Sequence, residues 1–145
     1  MKKLILAVLA AWGLNAAAAT WNAITASDWP PLDNSATVVE ADVSSIRMRE
    51  GFRQAWVRYN YQPIKKSSSG FGPGVGSSAS LQIFDCRNAE SATMQYVEYG
   101  ERFGRGEVGH TSNNVRGQAI KNMTARVPDS YGDFVLQFVC AFPLK

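Results

Sequence analysis

The chain has 145 residues, of which 46% are hydrophobic, and it carries 15 Lys and Arg against 12 Asp and Glu. A chain of this size suits one domain with a single hydrophobic core. Its basic residues form no stripe along the sequence, which argues against a nucleic-acid-binding protein.

The first 19 residues have the pattern of a secretion signal. A short basic start at 1–3 leads into an apolar run at 4–14, and the alanines at 17–19 fit a small-residue cleavage site. We therefore expect a signal peptide over 1–19, a mature domain over 20–145, and no transmembrane segment after processing. Such a chain works in an oxidising space, in the periplasm or at the outer cell surface.

The clearest strand signal lies at 54–61. Here Val57, Tyr59 and Tyr61 fall on one face of an alternating pattern, and Pro63 is expected to end the strand. Upstream, residues 21–34 contain two adjacent prolines, which block regular pairing, so we predict an irregular segment. Downstream, the glycines of 100–109 predict a loop. Similar but weaker alternation predicts further strands over 37–46, 79–86, 92–99 and 118–127.

Residues 65–78 are the one low-complexity stretch, rich in glycine and serine. Such sequence buries little apolar surface, so we predict a mobile, exposed loop. Long loops in compact domains are often functional. Lys65, Lys66 and Phe71 are therefore candidate partner-binding residues, with Phe71 as an aromatic anchor and the lysines as electrostatic guides. The alternative interpretation is that this segment is only the tip of a hairpin.

The last segment of the chain satisfies both strand and helix periodicity. Its start favours a helix, because Ser130 can cap the first turn and Asp133 follows at the third helical position. We predict a helix over 130–141 that lies on the sheet. Cys86 and Cys140 are the only cysteines, and an even count in an exported chain predicts a disulfide between them.

No motif predicts catalysis, a metal or a cofactor. Residues 104–109 match G-x-G-x-x-G by letter, but polar loop formers follow, so we interpret these glycines as turn residues. His110 has Glu107 nearby and no cluster of further ligands, which is typical of a solvated loop histidine. The carboxylate pair of Glu98 and Glu101 is explained by capping or surface charge.

Three short motifs carry a family resemblance. They are DVSSIRMREGFRQAWVRYNY at 42–61, IFDCRN at 83–88, and VPDS at 127–130 followed by FVC at 138–140. Together they resemble the bacterial surface-adhesin E domain, over about 40–140. The chain departs from that pattern in its longer loop at 65–78 and in the absence of a tryptophan near 119–121.

This resemblance implies an antiparallel sheet with a C-terminal helix attached by the disulfide. It also implies a non-enzymatic role at the cell surface, where such domains bind host matrix or serum proteins. We therefore expect one α+β domain with five or six antiparallel strands, acting as an exported, adhesin-like module that binds a protein ligand without a cofactor. The alternatives are a periplasmic accessory or inhibitor protein that binds another envelope protein, and an exported hydrolase.

Overall fold

The computed structural model describes residues 18–24, 38–66 and 74–144. These residues form one antiparallel sheet with two helices, α1 (Arg116–Lys121) and α2 (Tyr131–Ala141). The strands are β1 (Trp21–Ala23), β2 (Val38–Asp42), β3 (Arg47–Arg49), β4 (Phe52–Lys65), β5 (Val75–Asp85), β6 (Glu90–Tyr99), β7 (Val108–Asn113) and β8 (Thr124–Ala125). Within these ranges, neither helix has the length and apolar character that a bilayer crossing needs.

Six strands cross the sheet in the order β1-β2-β4-β5-β6-β7. The expected five or six strands correspond to this continuous sheet. Two short strands extend it, because β3 pairs with β4 and β8 pairs with β6. The long strands β4 and β5 occupy the centre of the sheet. Residues at the ends of these strands therefore form much of the surface at each end of the sheet.

The sheet starts earlier in the chain than predicted, and β4 runs further than predicted. Trp21 pairs with Asp42 in β1, so the predicted irregular segment is wrong at its start, while 25–34 lie outside the described residues. β4 also continues past Pro63 to Lys65, across a shift of register after Asn60. A proline is tolerated there because an irregular position requires no ladder hydrogen bond.

The predicted mobile loop over 65–78 is wrong at both ends. Lys65 is the last residue of β4, and the first six residues of β5 are all buried. The small side chains in β5 serve close packing instead of mobility. Ser77 Oγ donates a hydrogen bond to the Glu101 carbonyl at 2.6 Å and accepts one from the Gly104 amide at 2.9 Å. Residues 67–73 lie outside the described ranges.

Gly76 marks the closest approach between β5 and the turn after β6. A Cβ atom at this position would lie 2.4 Å from the Glu101 carbonyl carbon and 2.8 Å from the Arg102 amide nitrogen. We expect Gly76→Ala to lower the free energy of unfolding by about 2 kcal/mol or more, because backbone atoms cannot rotate away. Urea unfolding measures the loss. Gly109→Ala is the control, since its Cβ would meet nothing within 4 Å, and equal losses in both variants would contradict this prediction.

Helix α2 covers one half of a sheet face and forms the main core with it. The prediction of a C-terminal helix is confirmed, and Ser130 Oγ accepts a hydrogen bond from the Asp133 amide at 3.2 Å as its cap. The buried members of this core come from three strands, the segments beside them and the helix: Ile24, Val39, Ala41, Ile46, Ala55, Val57, Phe84, Val135, Leu136 and Val139.

Two connections hold the C-terminal end of α2 on the sheet. Cys86 and Cys140 form the predicted disulfide, with their Cα atoms 5.6 Å apart. The Arg53 guanidinium donates hydrogen bonds to the carbonyls of Val139, at 2.8 Å, and of Phe142. The last carbonyls of a helix have no partner within it, so Arg53 satisfies groups that would otherwise depend on water.

The opposite face of the sheet is covered in part by α1. Ala119 is buried against Ile83 and Met94, with Ile120 and Met123 packed around them. The predicted strand over 118–127 is therefore wrong except at β8. Positions 119, 120 and 123 also fit helical spacing, and burying them together against β5 and β6 outweighs a weak alternation.

The turn between β6 and β7 contains the glycines that match the dinucleotide motif by letter. Gly104 and Gly106 have φ angles of 70° and 81°, which glycine adopts without strain. They are turn residues, as predicted, and a strand follows them. His110 belongs to that strand, β7, where it is half-buried and paired with Glu98, so its interpretation as a solvated loop residue is wrong.

Arg58 connects three parts of the sheet face that α1 covers in part. Its guanidinium forms an ion pair with Glu40 at 2.9 Å, in which both side chains are 12% exposed, and donates to the Phe103 carbonyl at 2.9 Å. It also lies 4.1 Å from the Trp21 ring centroid. Asn60 Nδ2 donates to the same Glu40 carboxylate at 2.7 Å. One arginine thus joins β1, β2 and the turn after β6 to the central strand β4.

Candidate partner-binding site

A small cavity opens where β4, β5 and β6 run beyond the cover of α2. Its volume is about 170 Å³. It is lined by Tyr61, Lys65, Lys66, Val75, Tyr96 and Glu98. The predicted residues Lys65 and Lys66 therefore come together with two tyrosines and a carboxylate that the sequence analysis did not propose as binding residues. Phe71 lies outside the described residues.

The strand registers explain why these side chains meet. Ser78 pairs with Tyr59 of β4 and with Glu98 of β6, and alternate residues of a strand share a face. The face that carries the apolar core under α2 therefore continues as a polar surface. There Tyr61 Oη and Ser78 Oγ share a hydrogen bond of 2.8 Å. Gln82 Nε2 donates to Ser80 Oγ at 2.8 Å.

Glu98 is the deepest charged residue of the cavity. Its side chain belongs to a residue that is only 2% exposed, and its Oε1 accepts a hydrogen bond from Tyr96 Oη at 2.9 Å. The interpretation of Glu98 as a surface or capping charge is therefore wrong. Tyr96 thus supplies one of the interactions that a buried carboxylate requires, and Glu98 forms part of the wall of the open cavity.

Burial sets the ionisation of the tyrosines around the cavity. Burial, followed by the hydrogen bond to Glu98, raises the pKa of Tyr96 to about 12. Burial also raises the pKa of Tyr61, although the hydrogen bond with Ser78 acts against it. Both rings are consequently neutral at physiological pH. They offer a hydroxyl for hydrogen bonding and an aromatic face for packing.

Titration of the phenols tests this environment. The ordinary tyrosine value is 10.0, so the folded state favours neutral Tyr96, and this contribution to stability is present below pH 10. It is lost as the pH rises from about 10 to about 12. We expect a late step in the phenolate absorbance of the folded protein and its disappearance in Tyr96→Phe. An unchanged late step in that variant would assign it to another tyrosine.

Lys65 already brings a cation to this cavity. Its Nζ lies 4.3 Å from the ring centroid of Tyr61, well within the distance at which an ammonium is attracted to an aromatic face. Lys65 is nevertheless an exposed residue, and so is Lys66. The cavity thus combines a buried carboxylate, two neutral aromatic rings and two lysines at its rim.

A larger open groove of about 650 Å³ lies at a different position on the surface. It is lined by Thr20, Val43, Ser44, Ile46, Arg47, Met48, Phe142, Pro143 and Leu144. Among the residues that line it, Arg47 is the only charged one, and the polar members Thr20, Ser44 and Arg47 are all exposed. Binding sites combine apolar surface with a few convergent polar groups, so we place the candidate site at the smaller cavity. Within the described residues, no group of three side chains is arranged as metal ligands.

The fold is that of a small disulfide-bridged α+β module with a polar, tyrosine-lined cavity. The family model for surface-adhesin protein E matches residues 21–141. The chain therefore belongs to the surface-adhesin protein E family, a family of adhesin-like surface proteins, and the resemblance noted in its sequence is confirmed. No protein among the curated sequences matches it.

Solved structures of protein E from Haemophilus influenzae share this fold. One, from a non-typeable strain, is 16% identical, with a TM-score of 0.51 over 71% of this chain and 69% of that chain. A second crystal form of Haemophilus influenzae protein E is 15% identical, with a TM-score of 0.52 over 71% of this chain and 80% of that chain. At this level of identity the likeness establishes the fold alone.

Proposed function

We propose that this protein is an exported, non-enzymatic surface module that binds a host matrix or serum protein. The site is the tyrosine–lysine face around Tyr61, Lys65 and Lys66, with Phe71 as a further partner-binding residue. The observation that carries the proposal is the buried Glu98 in a cavity lined by tyrosines. Interfaces obtain most of their binding energy from a few aromatic and charged groups of this kind, and membership of the adhesin family supports the same role.

Location is the first part of the proposal to test. We expect processing after residue 19, so that N-terminal sequencing of the protein recovered from the cell envelope starts at Thr20. Labelling of intact cells with a membrane-impermeant amine reagent should modify the exposed Lys121. Labelling only after the outer membrane is permeabilised would instead favour a periplasmic accessory or inhibitor protein. Recovery of protein that still begins at Met1 would contradict export through a cleaved signal.

Capture of host proteins tests the binding face. The domain over 20–145 is passed over an immobilised basement-membrane extract and over immobilised serum proteins. We expect Tyr61→Ala and Phe71→Ala each to reduce capture about tenfold or more, as truncation of an anchor does. Tyr99→Ala is the matched control, because Tyr99 is a half-buried tyrosine that pairs with Ser77 on the opposite face. Equal losses in all three variants, or no capture by the unaltered domain, would contradict the proposal.

A further inference from the structure

We propose that the cavity recognises the ammonium group of a lysine side chain on the partner, and that the Lys65 ammonium covers the Tyr61 ring of the cavity until the partner replaces it. This inference rests on the proposed function and specifies the chemical group that the site would bind. Three observations support it: the position of the Lys65 ammonium, the sign of the buried charge, and the size of the cavity.

The ring of Tyr61 is already an ammonium site. Lys65 Nζ lies over it at 4.3 Å from the centroid, and the hydrogen bond between Tyr61 Oη and Ser78 Oγ fixes the orientation of the ring. Such a contact at an exposed position is weak. Lys65 is therefore held weakly enough to leave. Because it is an exposed residue, its side chain can extend into water when another ammonium takes its place.

The buried charge selects a cation over an anion. Glu98 is 2% exposed and lines the same cavity as the Tyr61 ring. Like charges repel strongly where water is excluded, so an anion bound in this cavity would be disfavoured. An ammonium is instead attracted to that carboxylate. The hydroxyl of Tyr96 holds the carboxylate in place through its 2.9 Å hydrogen bond. The lysines at the rim can move away, whereas the buried carboxylate cannot.

The cavity has the size of a side chain. Its volume of about 170 Å³ is below the range of roughly 300–1,000 Å³ that larger small-molecule ligands require. This space remains with Lys65 in place, because Lys65 is one of the residues that line it. Four methylene groups and an ammonium match this space, and Lys65 shows that such a chain reaches the aromatic face.

A lysine analogue tests the exchange directly. Nα-acetyl-lysine amide is titrated into 15N-labelled domain, and its affinity is read from amide chemical shifts around Tyr61 and Tyr96. We expect Lys65→Met to bind the analogue about threefold or more tightly than the unaltered domain, because removal of an internal competitor raises the fraction of open sites. Lys66→Met is the matched comparison: it loses the same charge beside the cavity while Lys65 stays on the Tyr61 ring, so its gain in affinity should be less than half that of Lys65→Met.

Two further variants identify the groups that bind the ammonium. In the Lys65→Met background, Glu98→Gln keeps the shape of the side chain and removes its charge, and Tyr61→Leu removes the aromatic face. Each should weaken binding of the analogue about tenfold, while thermal unfolding confirms that the domain remains folded. If Glu98→Gln does not fold, the comparison of the two exposed lysines alone still decides the question.

Several results would overturn the inference. Equal affinities of Lys65→Met, Lys66→Met and the unaltered domain would show that Lys65 does not occupy the site. Tighter binding of inorganic phosphate, or of Nα-acetyl-arginine amide, would assign the cavity to another chemistry. The proposed function fails separately, through absent capture of host proteins while the lysine analogue still binds. Capture that depends on Tyr61 but is accompanied by no binding of the analogue would instead overturn the lysine inference alone.

Discussion

Loss of the disulfide is expected to lower the free energy of unfolding by about 4 kcal/mol. Cys86 and Cys140 are 54 residues apart in sequence, and a crosslink over a loop of that length removes a corresponding amount of chain entropy from the unfolded state. This is a large part of the 5–15 kcal/mol that typically stabilises a whole domain. The loss should concentrate on α2, because the bridge joins the last turn of that helix to the end of β5.

Urea unfolding of Cys86→Ala, Cys140→Ala and the double variant measures this effect, with a reductant present to keep the remaining single thiols from crosslinking. Reduction of the unaltered protein serves as the control that changes no side chain. Because the two cysteines act as one bond, the double variant should be about as stable as either single variant. Losses that add up in the double variant would show that each cysteine contributes separately.

The second large effect is expected at Arg58. We expect Arg58→Met to lower the free energy of unfolding by about 3–5 kcal/mol, because it leaves the Glu40 carboxylate nearly buried without its cation. The variant also loses the stacking on Trp21 and the hydrogen bond to the Phe103 carbonyl. Hydrogen exchange should consequently increase in β1 and in the turn after β6, since Arg58 connects both to β4.

An exposed arginine provides the matched control for Arg58. Arg49 and Glu50 form an ion pair at 3.7 Å, with side chains that are 56% and 61% exposed, so Arg49→Met should cost less than about 1 kcal/mol. A double variant, Arg58→Met with Glu40→Met, should be more stable than Arg58→Met alone, because no uncompensated charge remains. If Arg58→Met and Arg49→Met unfold at the same urea concentration, burial of the Arg58 pair contributes nothing.

Local signals in the sequence were sufficient for the elements with strong patterns. The alternation around Val57 and Tyr59 predicted the centre of β4, and Ser130 with Asp133 predicted the start of α2. The cysteine count predicted the bridge between Cys86 and Cys140. In each case the determining interaction lies within a few residues or follows from the oxidising environment of an exported chain, so the three-dimensional fold was not needed to infer it.

The remaining elements depend on contacts between distant parts of the chain. Gly76 and Ser77 resemble flexible linker in composition, but they are small because the backbone of Glu101 packs against them. Ala119 lies in a helix, and Met123 packs just after it, because Ile83 supplies the surface that covers them. No local pattern reveals such partners, which explains why the start of β5 and helix α1 were predicted wrongly.

The candidate site was predicted in part for the same reason. Lys65 and Lys66 were selected because they stand beside a glycine-rich segment, and the structure places both at the rim of the cavity. Alternation in β6 does put Tyr96 and Glu98 on one face, and this was the signal that could have found them. A glutamate in a strand normally faces solvent, however, and only the register with Ser78 shows that Glu98 is buried.

The position of the bridge has a consequence for the order in which the protein matures. In a chain that crosses the inner membrane from its amino terminus, Cys86 emerges 54 residues ahead of Cys140. When Cys86 emerges, strands β1 to β5 are already outside. The elements β6, β7, α1 and β8 then follow while Cys86 is still a thiol. The bridge can close only after Cys140 has followed, when strands β1 to β8 are already outside. A closed bridge therefore marks a chain that has emerged as far as α2.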